Sequence, residues 1–202
     1  MTGGHADEKG TLLHFLQRQR DSVISVVDGL KEADWHRSAV PSGWTPAGLV
    51  GHLGNAERHW FQQVVAGTEV DLPWDDGLSQ REVETTPRIN RRSVDVVAYY
   101  RDQCRRSDEI LASASLSAPP VGPQADPGAP DVRWVVLHMI EETAAHSGHL
   151  EITRELLDGR TGLGLRSRGP RAVAGLSPLC GAARTSGPRS LVSARNRSGW
   201  CG

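Results

Sequence analysis

Along residues 11–29, apolar side chains recur at Leu12, Leu13, Phe15, Leu16, Val23, Ile24, Val26 and Val27, with Leu30 just beyond. Steps of three and four residues mark one face of an α-helix. Thr11 or Asp7 is its candidate N-cap and Gly29 its candidate stop. A second helix opens at Thr45-Pro46, a capping residue followed by proline at the first helical position. It runs to about Ala66, where Gly67 ends it, with Leu49, His52, Leu53, Ala56, Trp60 and Val64 facing inward beside Phe61. The third starts at Ser93 or Asp95 and carries Val94, Val97, Ala98, Tyr100, Cys104, Ile110 and Leu111. Asp131 caps the fourth, which continues through Ile152 and Leu156 to Gly159. The connectors read as loops: residues 31–44 hold Trp35 and Pro41-Ser42-Gly43, and Pro119 to Pro130 is rich in Pro, Gly and Ala. Four long helices with no alternating strand pattern predict an all-α, up-and-down four-helix bundle. The two longer connections leave a crossover order open.

From Leu163 the periodicity stops. Residues 163–202 hold Gly, Ser, Pro and Arg, and their apolar residues are scattered, so the chain divides into a folded 1–162 and a disordered tail 163–202. A basic arm for an acidic partner and an out-of-frame reading are the alternatives for that tail. Seven of the 23 basic residues lie there with no acidic residue, leaving sixteen basic against 24 acidic side chains in residues 1–162. An acidic folded part argues against a nucleic-acid-binding core. No run of about 18 apolar residues exists, so no membrane span is expected. No basic start precedes an apolar block, so no secretory signal is expected. Cys104, Cys180 and Cys201 are odd in number and far apart, which fits a reducing cytoplasm. Six of the ten aromatic residues are Trp, a bias that suggests a lined cavity or groove.

Chemistry concentrates in the fourth helix, where His138, His146 and His149 fall within twelve residues around Glu141-Glu142. With His138 at 0°, Glu142 lies near ~40°, His146 near ~80° and His149 near ~20°, while Glu141 points away near ~300°. Glu142 and His146, four apart, stack on one face and can share a divalent ion, as the paired ligands of H-E-x-x-H helices do. Two ligands do not close a site. A lone histidine in an apolar stripe, as His52 is, is more often a packed core residue than a ligand. If the second and fourth helices are neighbours, however, His52 faces the Glu142–His146 pair and completes a two-His-one-carboxylate set.

Several separated motifs resemble the DinB-like superfamily of metal-binding four-helix bundles. They are Pro41-Ser42-Gly43-Trp44-Thr45, Gly48-Leu49-Val50-Gly51-His52-Leu53, Glu57-Arg58-His59-Trp60-Phe61 and Leu72-Pro73-Trp74-Asp75-Asp76. Arg133 through Thr143 to His149, and the ending Asp158-Gly159-Arg160-Thr161-Gly162, continue the series. The branch it resembles is the actinobacterial one of mycothiol-dependent enzymes, both mycothiol S-transferases and maleylpyruvate isomerase-like proteins. The resemblance implies a metal triad of His52, Glu142 and His146. Many members carry His at the middle position; Glu142 departs from that, as the similar maleylpyruvate isomerases do. His149 is then a group supporting the triad or an alternate ligand, and His138 is structural. Trp44, Trp60 and Trp134 either wall the cavity or only pack.

The implied activity is that of a thiol S-transferase or thiol-dependent isomerase, in which a divalent metal, Zn²⁺, activates the sulfur of mycothiol. A hydrolase using metal-bound water and a non-catalytic, stress-related metal-binding protein are the rivals. Expected partners are a small thiol and an electrophile, with no nucleic acid and no membrane. The expected compartment is cytoplasmic, and a homodimer is left open.

Overall fold

A computed structural model describes residues 7–68, 89–123 and 128–164. The Leu72–Asp76 motif and the tail from Leu165 onward, with Cys180 and Cys201, lie outside the described residues.

Helix α1 spans Glu8–Val27, and the Asp7 carboxylate accepts from the Gly10 N–H at 2.5 Å. It ends before Gly29, whose φ of 66° suits a residue without Cβ. Buried Arg154 donates to the carbonyls of Val26 and Asp28 at 2.8 and 3.0 Å. It thereby satisfies groups that the helix end leaves without partners. Phe15, expected inside, is 44% exposed, with Arg18 over its ring.

The connector 31–44 is not all loop. It contains α2, a single turn from Glu32 to Trp35, because Trp35 is drawn into the core (4% exposed). The Glu32 carboxylate then accepts from both the N–H and the hydroxyl of Ser93. The third long helix is thus capped by a residue from another element.

Helix α3 spans Pro46–Glu57, its first turn closed by Thr45 Oγ1 accepting from Gly48 N–H at 3.0 Å. The expected end near Ala66 holds, but the winding changes: Arg58–Val65 is a π-helix. Ala66 N–H accordingly reaches back five residues, to the Phe61 carbonyl. The wider turn buries Phe61, Gln62, Gln63, Val64 and Val65 together, which a 3.6-residue period does not. Gly122 lies on this segment, donating to the Val64 carbonyl at 2.9 Å; a Cβ there would come 1.8 Å from the Gln63 oxygen.

Helix α4 spans Ser93–Ser113 and turns Val96, Tyr100, Gln103, Ser107 and Leu111 inward, while Val94 is 60% exposed. The expected stripe is rotated because two inner positions are polar and satisfied. Gln103 Oε1 accepts from Gln62 at 2.6 Å, and the Ser107 hydroxyl donates to the Gln103 carbonyl at 3.0 Å. Helix α5 spans Val132–Asp158, with Asp131 accepting from Trp134 N–H at 2.9 Å and Gly159 ending it at φ 76°.

The described residues form an all-α bundle without strands. α1 packs on α5 and α3 on α4, and α3 also meets α5. Leu16, Phe61, Leu111, Val136 and Met139 fill one end of the core; Val23, Leu49, Leu53, Tyr100 and Leu150 fill the other. Between them the Arg20 guanidinium grips Glu57 through two bonds of 2.7 Å and reaches Asp108 at 2.7 Å. No helix of the described residues is long and apolar enough to cross a membrane.

Candidate metal centre

The α3–α5 seam brings His52 to the Glu142–His146 pair. Both imidazoles turn Nε2 toward the same atom, Glu142 Oε1, at 2.9 Å from His52 and 3.1 Å from His146. Ligand atoms of one ion with bonds of about 2.0–2.1 Å lie about 2.9–3.4 Å apart, so these separations suit a shared cation. All three donor atoms lie within 4.8 Å of one another. Two imidazoles and one carboxylate form a borderline set, suited to zinc and other first-row divalent ions.

Each ligand is half-buried, with side-chain exposures of 20% (His52), 27% (Glu142) and 18% (His146). A ligand can therefore reach them. Hydrogen bonds from His146 and then His52 hold the Glu142 carboxyl well below the usual carboxylate range. It remains an anion at neutral pH, the form that binds metal. The neighbouring Glu141 is exposed and outside the cluster.

The surroundings fix the rings. Trp44 lies 5.6 Å from the His52 ring and 6.5 Å from the His146 ring, centroid to centroid. On the far side of His146, its Nδ1 is 3.3 Å from Nδ1 of the exposed His149. A ring nitrogen bonded on one side leaves the other free for a cation. His138 stands apart, stacked on Trp134 at 5.3 Å and against Trp60 at 4.6 Å. The three tryptophans thus divide: Trp44 borders the triad, and Trp60 and Trp134 build a separate aromatic cluster with His138.

Beside the triad is a cavity of about 360 Å³, bounded by Val40, Trp44, Leu49, Ile152, His146 and His149 among others. Sequence reasoning missed its wall, although Ile152 and Thr153 follow His149 at the three- and four-residue spacing of one helix face. A larger hollow of about 570 Å³ between α1 and α4 includes Arg20, Cys104 and Asp108 but none of the triad. Burial, then the Glu57 charge, pushes the Cys104 thiol up. It stays protonated at neutral pH and is no nucleophile.

A family model described as Mycothiol-S-transferase matches residues 11–159. No match exists among curated proteins. Among solved structures, the chain is similar to a conserved protein from Enterococcus faecalis. The two share 14% identity over 77% of this chain and 100% of that one, with a TM-score of 0.54; at that identity the likeness shows the fold alone.

Proposed function

Since the chain belongs to the mycothiol-S-transferase family, a DinB-like family, we propose that it is a Zn²⁺-dependent S-transferase joining mycothiol to an electrophile. The observation that carries this reading is the clustering of three ligand-bearing side chains, with His52 Nε2 and His146 Nε2 at 2.9 and 3.1 Å from Glu142 Oε1 and one ligand atom of each residue within 4.8 Å of the others. Those three side chains would hold the ion. A divalent cation bound there acts as a Lewis acid that makes a thiol a nucleophile near neutral pH. Glu142 neutralises one of its two charges, and the neutral imidazoles neutralise none.

The chain's own residues do the rest. His149 orients His146 through the Nδ1 contact. Trp44 packs beside both imidazoles, at 5.6 and 6.5 Å between ring centroids, and so helps hold their orientation. Cys104, held as a thiol in a different hollow, does not compete as the sulfur donor. A reducing cytoplasm is the compartment this reading requires, because the cosubstrate must be kept as free thiol.

The test is metal content by mass spectrometry on tag-free protein, beside His52→Ala, Glu142→Ala and His146→Ala. The expected result is roughly one divalent ion per chain, lost in all three variants with far-UV circular dichroism unchanged, together with metal-dependent consumption of thiol. Stoichiometric metal retained in His52→Ala would refute the triad. Turnover that proceeds without added thiol would make the protein a hydrolase using water instead.

A further inference from the structure

We propose that the seam between α1 and α4 is a second ligand site, which takes an apolar α-amino acid in its zwitterionic form. The proposal stands apart from the S-transfer reading, because no residue lining this seam belongs to the triad.

The seam is open because of how the helices pair. α1 packs on α5 and α3 on α4, whereas α1 and α4 touch little. The hollow of about 570 Å³ between them adjoins a second of about 350 Å³, and Ile24, Asp28 and Arg101 line both. Each volume falls within the range of small-molecule sites.

Among the described residues, three Asp and three Arg line the larger hollow. The charges balance, so neither a net anion nor a net cation is favoured. Four of the six are engaged: Arg20 holds Asp108 at 2.7 Å, Asp21 accepts from Gln17 at 2.8 Å, and Arg105 bonds Asp102 and Glu109. The Asp28 carboxylate and the Arg101 guanidinium remain, and neither has a side-chain partner among the described residues. Opposite charges that face one space from two helices, yet do not pair, suit a molecule that carries both. Its ammonium lies against Asp28 and its carboxylate against Arg101, each in a charge-assisted hydrogen bond.

A second observation points to a ligand independently. Tyr100 lines the larger hollow and is 1% exposed, and its hydroxyl has no hydrogen-bond partner. A buried tyrosine hydroxyl usually finds one, and leaving it without is unfavourable. Here it supplies a donor for the second oxygen of the carboxylate. The smaller hollow decides the side chain. Val27, Leu30 and Trp35 form its floor, at 4%, 9% and 4% exposure, with Val97 and Ala98 beside them. A short aliphatic chain entering there leaves water for an apolar wall.

The test uses the full chain with L-leucine, leucinamide (which lacks the carboxylate) and isocaproate (which lacks the ammonium), followed by calorimetry and NMR. Expected is saturation by L-leucine below about 1 mM, with shifts confined to residues of the two hollows. Both analogues should bind about tenfold more weakly. Arg101→Gln should weaken L-leucine about tenfold and leave leucinamide unchanged, while Asp28→Asn should weaken L-leucine similarly and leave isocaproate unchanged. Tyr100→Phe should weaken L-leucine without lowering the melting temperature of the unliganded chain, since that hydroxyl has no bond to lose. An amino acid can also chelate a metal, so His52→Ala is the control and should bind L-leucine as wild type does. Absence of saturable binding, equal affinity for all three molecules, or loss of binding in His52→Ala would overturn the proposal.

Discussion

Glu57 has no exposed surface and holds Arg20, itself 3% exposed. Breaking a buried pair leaves an uncompensated charge, and Asp108, 58% exposed, is a weak substitute. Glu57→Ala is expected to lower unfolding free energy by about 3–5 kcal/mol, read from urea denaturation; a loss below about 1 kcal/mol would show that the guanidinium finds water. Glu57 stood in one of the family motifs, but its pairing with Arg20 was not legible, because a buried ion pair across 37 residues leaves no local pattern. The Glu142–His146 half of the triad was legible, since one helix fixes the relation of residues four apart. His52 was legible only on the assumption that the second and fourth helices meet. Ring contacts such as Trp44 on His52 depend on tertiary packing and could not be read from spacing.

At the scale of elements, the four long helices were legible from periodicity and caps, and Asp7, Thr45 and Asp131 all accept the expected N–H. The one-turn α2 was not, since four residues show no period. Its Glu32 caps α4 from a distance, and the side-chain and backbone bonds from Ser93 hold its carboxyl below the usual carboxylate range. A folded-state pKa below the unfolded one stabilises the native state above about pH 4.5. That contribution is lost as pH falls through the folded value. The urea midpoint of wild type should therefore exceed that of Glu32→Gln near neutral pH, with the gap closing as the pH is lowered through the carboxylate range. A gap independent of pH would show that the carboxylate charge plays no part in the cap.

For the whole molecule, α-helical composition and the absence of strand patterns sufficed for the fold class, while the pairing of helices needed the structure. The proposed boundary after Gly162 can be sharpened. The Ser25 hydroxyl donates to the Leu163 carbonyl at 2.6 Å, Gly164 N–H donates to Glu151 at 2.5 Å, and Leu163 packs on the core. A chain ending at Gly164 is expected to melt within about 1 °C of the full chain. One ending at Gly162, short of two hydrogen bonds of about 1 kcal/mol each, should melt roughly 4–8 °C lower; circular dichroism melts decide it, and equal melting of both would remove any role for Leu163. The π-helix at Arg58–Val65 carries a consequence for kinship. Each of its bonds encloses one residue more than an α-helical bond, so chain can be gained or lost inside this rod without touching a loop. Between relatives, an insertion or deletion can therefore hide in the middle of a helix, and Trp60 finds its true counterpart by superposition rather than by counting onward from His52.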